Sequence, residues 1–253
     1  MRQLFLATAI CISAFAARSA SAETVLVAAA ANFASAAEAI SAAFTDQTGH
    51  EVLVTTGATG KLYAQIIEGA PFDVLLSADA KTPDRLEAEG YAVEGAGFAY
   101  AIGSLTIWSS DPSRIGADPL VALGDPSLRF VAIANPDLAP YGAAAREVLQ
   151  GWGVWQNLQG RIVQGQNIGQ VFSLVQSGAA EIGFVARSAL DAPGTQVGGS
   201  RWDVPEGLFT PLVQKAALLQ IGADKAAAKA FLAFLAGEDA QAIIQRYGYR
   251  VPQ

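Results

Sequence analysis

Two kinds of segment alternate along the chain. Short runs in which nearly every residue is apolar fall at 24–28, 51–55, 73–77, 129–134, 161–164 and 181–186. Runs this short, apolar on both parities, predict strands buried on both faces of a largely parallel sheet. Between them, apolar residues recur every three or four positions. Phe33, Ala37, Ile40 and Phe44 line one face of a predicted helix over 33–45, and Leu62, Ile66 and Ile67 continue a helix that begins after the turn 57–60. Further helices are predicted over 81–89, 118–123, 143–151, 170–177, 224–235 and 238–247. Pro83 and Pro140 stand near helix starts, where proline is tolerated. The stretch 192–207 is rich in Gly, Pro and polar residues and reads as an irregular surface excursion.

This βα alternation predicts an α/β protein with each sheet flanked by helices. Two extended segments, 98–103 and 104–109, read as a crossing into a second lobe, and 211–221 reads as the strand that returns. The predicted organisation is a first lobe of 23–102 plus 215–253 and a second lobe of 103–214. The first 22 residues stand apart. Arg2, an apolar run over 4–17 and Ser19-Ala-Ser-Ala22 predict a signal peptide cleaved after Ala22, hence a periplasmic protein. Cys11, the one cysteine, lies inside that leader. The mature chain is therefore expected to have no disulfide, thiolate zinc site or thiol nucleophile.

Charge narrows the partners. Losing Arg2 and Arg18 with the leader leaves 14 basic against 23 acidic side chains, a net charge of −9. Nucleic acid, which needs a basic face, is not an expected partner. An anion would be repelled at long range, so an anion site here must work through local dipoles. No run in the mature chain approaches the roughly 18–20 apolar residues of a membrane span.

Four helix starts share a small-residue, neutral character: Ala31-Asn32, Ala58-Thr59-Gly60, Pro140-Tyr141-Gly142 and Asn167-Ile168-Gly169. Two belong to each predicted lobe. Each offers free N–H groups and roughly half a positive charge, so four converging starts would trap an oxyanion without Lys or Arg. Asn32 occupies a predicted N-cap position, with Ser35 three residues on. Its side chain either caps the helix or faces a ligand at the carboxyl edge of the sheet. Gly142 is expected to let the backbone approach something closely.

Competing chemistries lack parts. Gly57-Ala-Thr-Gly-Lys-Leu62 has too short a glycine spacing for a phosphate loop, and Leu62 stands where a magnesium-binding Ser or Thr belongs, so Lys61 reads as a solvated or rim residue. His50, the single histidine, lies in a polar turn and reads as a surface residue. Ser-His-Asp, Cys-His and multi-His sites are thereby excluded. Two other classes stay open on the residues alone: a carboxylate-based hydrolase, with only Asp137 near a converging turn, and phenolate iron binding by Tyr247 and Tyr249.

The motifs Ala29-Ala-Ala-Asn-Phe33, Gly57-Ala-Thr-Gly-Lys-Leu62, Ile67-Glu-Gly-Ala-Pro-Phe-Asp73, Leu76-Ser-Ala-Asp79, Asn135-Pro-Asp-Leu-Ala-Pro-Tyr-Gly142 and Arg246-Tyr-Gly-Tyr249 together resemble the periplasmic molybdate-binding proteins of ABC transporters, over essentially the whole mature length. The resemblance implies a two-lobed periplasmic binding protein fold with a hinge of two crossing strands. It implies molybdate or tungstate held by neutral donors, no catalysis, no cofactor, and transient delivery by a monomer to a membrane permease. By position, Asn32 and Thr59 stand where the family has Ser, Tyr141 and Ile168 would supply backbone N–H groups, and Ala31, Gly60 and Gly142 are further candidates. Some members place a tyrosine hydroxyl on the anion from the strand that here ends at Ala186, and Tyr141 is the expected substitute. Another oxyanion such as sulfate is the alternative ligand.

Overall fold

β1 (Thr24–Ala30) opens the chain and leads through a 3₁₀ turn, Ala31–Phe33, into α1 (Ala34–Thr48). β2 (Glu51–Gly57), α2 (Thr59–Ile67), β3 (Val74–Leu76) and α3 (Lys81–Ala88) follow. Next come β4 (Phe98–Gly103), β5 (Leu105–Ser109), α4 (Pro119–Gly124), β6 (Val131–Ala134), α5 (Pro140–Gly151), α6 (Trp155–Leu158), β7 (Ile162–Gly165) and α7 (Ile168–Gln176). β8 (Ile182–Ala186), α8 (Arg187–Asp191), β9 (Ser200–Asp203), β10 (Leu212–Leu218), α9 (Ala226–Ala236) and α10 (Glu238–Arg246) complete it. The computed structural model describes residues 22–252. The predicted leader, except Ala22, lies outside them. Among the described residues no helix is long and apolar enough to cross a membrane.

The strands form two five-stranded sheets, ordered β2-β1-β3-β10-β4 and β7-β6-β8-β5-β9. In the first, β1 runs parallel to β2 and β3, whereas β10 is antiparallel to β3 and β4. The second repeats this arrangement, with β6 parallel to β7 and β8, and β5 antiparallel to β8 and β9. The sheets are thus mixed rather than mainly parallel. The crossings explain this, since a strand carrying the chain from the other lobe arrives on a helix-free path and runs against its neighbours.

Strand parity decides what each face buries. Val25, Val27 and Ala29 of β1 join Val74, Leu76, Ala216 and Leu218 beneath α1, α9 and α10, with Phe33, Ile40, Phe44, Phe231 and Ile244. The opposite parity, Ala28, Leu75 and Ala217, packs on Leu62, Ile66 and Leu86 of α2 and α3. Each large apolar side chain buried in this way contributes about 1.5–3 kcal/mol. Leu105, Ile107, Val131, Ile133, Ile182 and Phe184 build the corresponding core of the second lobe.

Some predicted boundaries shift. The first sheet includes Gly103 and, paired with it, Leu212, followed by Val213 and Gln214. All four were assigned from sequence to the second lobe. The crossings instead fall at Ser104 and just before Leu212, because β4 and β10 stay hydrogen-bonded to the end of the ladder. The 192–207 excursion contains β9, whose Ser-Arg-Trp-Asp sequence lacks an apolar run because it is an edge strand paired only with β5.

Candidate functional site

β1, β2, β6 and β7 each release their helix at the carboxyl edge of a sheet, the place where open α/β sheets bind ligands. The two edges face each other across a small cavity. Its lining includes Ala31 and Asn32, Ala58 and Thr59, Pro140 and Tyr141, and Asn167 and Ile168. All four predicted turns therefore meet in one volume. Thr59 and Tyr141 are each 1% exposed and Ile168 5%. No Lys, Arg, His, Asp or Glu lines the cavity.

Each start is built locally. Ala58, with φ −70° and ψ 141°, makes Thr59 the first residue of α2. The Thr59 hydroxyl accepts from the buried Ala78 N–H at 3.2 Å, so its own hydrogen remains for another acceptor. At α5, Ala139 is extended and Pro140 occupies the first position, so Tyr141 offers the first N–H of that helix. At α7, the Asn167 side chain caps by accepting from Gln170 N at 3.0 Å, and Ile168 is the first helical residue. The N–H groups of Thr59, Tyr141 and Ile168 have no intrahelical acceptor by position, and among the described residues no loop carbonyl takes them.

Of the two roles open to Asn32, helix capping is not the one it takes. The 3₁₀ turn already has helical backbone at Asn32, which leaves its side chain unable to cap, and the entry to α1 carries no side-chain cap. Phe33 fixes the turn by packing edge-on against Tyr100 and Tyr249, with centroids 4.8 and 5.2 Å away. Asn32 Nδ2 then donates to Gln214 Oε1 at 2.9 Å and faces the Tyr249 hydroxyl at 3.2 Å. The Asn32 carbonyl accepts from Ser188 Oγ at 3.1 Å and from the Tyr249 hydroxyl. Burial pushes the phenols of Tyr100, Tyr141 and Tyr249 upward, so these groups stay protonated around the cavity.

Two of the further candidates spend their N–H groups elsewhere. Gly60 N–H donates to Leu138 O of the other lobe at 2.8 Å, and a Cβ there would sit 3.1 Å from that oxygen. Gly142 N–H donates to Ala139 O within its own first turn. The close approach expected at Gly142 is to its own sheet, since an added Cβ would lie 2.2 Å from Ala134 O. Ala31 lines the cavity with Asn32.

The rival residues lie elsewhere or are otherwise engaged. Lys61 is exposed. His50 Nδ1 accepts from Glu23 N at 3.1 Å and its ring stacks on Phe44. Asp137 is 80% exposed at its side chain and pairs with Arg146 at 3.1 Å. Among the described residues no group of three His, Cys, Asp or Glu could hold a metal. Sequence reasoning missed Gln214, Tyr100 and Ser188. For Gln214 a signal existed, because it shares the buried parity of β10 with Leu212 and Ala216. A polar side chain at such a position must find buried partners.

Comparison with known proteins places the chain in a family. The chain is 46% identical over 243 residues to the molybdate-binding protein ModA of Rhodobacter capsulatus, covering 96% of this chain and 94% of that one. It is 43% identical to the protein of the same name from Azotobacter vinelandii, covering 91% of each. The solved Azotobacter vinelandii periplasmic molybdate-binding protein superposes with a TM-score of 0.86 at 39% identity, over 90% of this chain and all of that one. Residues 25–250 match the bacterial extracellular solute-binding protein family, and the chain belongs to that family.

Proposed function

We propose that this protein captures molybdate, or its heavier-metal analogue tungstate of nearly the same size, in the periplasm and hands it to an ABC permease. The observation that carries this reading is the convergence of four helix starts, two from each lobe, on one cavity without a charged side chain. A tetrahedral dianion there would receive the N–H groups of Thr59, Tyr141 and Ile168 and the Thr59 hydroxyl, each polarised by its helix. Ala31 and Asn32 complete the wall from the first lobe. In this reading the ligand is bound and released unchanged and no cofactor takes part, in keeping with a cavity lined by no carboxylate, imidazole or amine. Both walls come from one chain, so a monomer suffices. Hinge closure buries the anion, and the Gly60–Leu138 bond is one contact that joins the lobes when shut.

Neutral, buried donors predict a specific response to salt. Raising ionic strength from about 0.01 to about 1 M shortens the Debye length from roughly 30 to 3 Å. The molybdate dissociation constant, measured by calorimetry over that range in a non-competing salt, is expected to move by less than about threefold, since no ion pair is screened. Association is expected to quicken modestly as repulsion from the acidic surface is damped. A steep loss of affinity would contradict the neutral-donor site and point to a Lys or Arg clamp.

A further inference from the structure

Gln214 is fully buried on β10, the strand by which the chain re-enters the first lobe. Its Oε1 receives two donors, Asn32 Nδ2 at 2.9 Å and the Tyr100 hydroxyl at 3.1 Å. With the oxygen so held, Nε2 must turn the other way, and there it has no acceptor. Beside it lies the buried Tyr141 hydroxyl, which meets no partner in full hydrogen-bond geometry but has the Gln214 and Asn32 side chains close enough to stabilise it against burial. Two buried polar groups left to each other in this way are unusual enough to need a reason.

Gly103 supplies one. It is the last residue of β4, immediately before the crossing at Ser104. A Cβ at this position would stand 2.1 Å from the Tyr141 hydroxyl oxygen and 2.9 Å from Gln214 Nε2. Tyr141 belongs to the second lobe, whereas Gly103 and Gln214 belong to the first sheet. The phenol therefore reaches across the lobe boundary into a notch that exists because residue 103 has no side chain.

We infer that Gly103, Gln214 and the Tyr141 phenol form a latch at the hinge that sets the closing angle of the lobes. The notch admits the phenol, the Gln214 amide meets it, and the start of α5 is thereby held with the Tyr141 N–H at the cavity. Gln214 and Gly103 are positioning residues and need not touch the anion. Because the notch lies next to the pivot, a small obstruction there is magnified at the cavity, as at the far end of a lever. The latch rests on the anion-capture reading for its affinity readout, but its steric core does not.

The test compares the parent with Gly103→Ala, Tyr141→Phe and the double variant. Each is titrated with molybdate, examined by small-angle scattering with and without it, and melted unliganded. Gly103→Ala is expected to lose about tenfold or more in affinity, in line with the cost of overpacking a filled interior. Its molybdate-saturated radius of gyration should stay nearer the unliganded value. Tyr141→Phe, by removing the colliding oxygen, should restore most of both in the double variant. The latch is overturned if Gly103→Ala binds and closes like the parent, or if its loss persists in full without the hydroxyl. Should Gly103→Ala not fold, Gln214→Leu and Tyr141→Phe serve instead. Their affinity losses must be less than additive, and simple additivity overturns the latch. A parent that binds no molybdate refutes the proposed function instead. The latch is then judged on melting temperatures, which Gly103→Ala must lower and the double variant must recover.

Discussion

Ile168→Pro is expected to weaken molybdate binding about ten- to a hundredfold or more while leaving α7 in place. Ile168 is the first residue of that helix, a position proline occupies readily because its N–H is unused by the helix. Asn167 already has φ −152° and ψ 175°, which suits a residue before proline. The substitution deletes one of the two backbone donors that the second lobe presents to the cavity, and a hydrogen bond to a charged group is worth about 1.5–3 kcal/mol. Each 1.4 kcal/mol is a factor of about ten in affinity. Ile168 is also 5% exposed, so some apolar burial is lost, and Ile168→Val measures that part with the N–H retained. Calorimetric titration of the two variants separates the contributions. Equal affinities would remove Ile168 N–H from the site.

Thr59→Val should produce a loss of similar size for a different reason. The valine keeps β-branching and shape but deletes the hydroxyl, whose free hydrogen faces the cavity while its oxygen accepts from Ala78 N. Two consequences follow. Affinity should fall by about 1.5–3 kcal/mol if the hydroxyl donates to the dianion. Unliganded stability should fall by about 1–3 kcal/mol, since the buried Ala78 N–H is left without a partner. Thr59→Ser keeps both bonds and should bind nearly as the parent does. A valine variant that melts lower yet binds molybdate unchanged would show the hydroxyl to be structural only.

The four turns were legible in the sequence because each sits between a buried-strand pattern and a helical one, and chain order alone then places them at strand carboxyl ends. What lay beyond local pattern was lost. Asn32 looked like a cap because its residue type and spacing fit one. Its real partners, Gln214 and Tyr249, are 182 and 217 residues away. The Gly60 N–H looked free because its acceptor, Leu138 O, is supplied only when the second lobe folds against it. β9 was missed because an edge strand need not be apolar, and α8 because five residues after a buried strand carry too little periodicity to separate them from a turn. The crossing strands were read as crossings, yet their antiparallel pairing, which puts Gln214 beside the cavity wall, has no signature in either strand's own sequence.

The central claim is that neutral donors, spaced for one size of tetrahedral dianion, close around the ligand. Sulfate has the charge and shape of molybdate but shorter bonds to oxygen, so donors set for the larger ion would leave several of its hydrogen bonds long or unmade. Calorimetric titration of the same preparation with molybdate, tungstate, sulfate and phosphate tests this directly. The account predicts tight binding of molybdate and tungstate, with sulfate and phosphate weaker by at least about a hundredfold, the equivalent of one or two well-made bonds to a charged group. Sulfate binding as tightly as molybdate would contradict it.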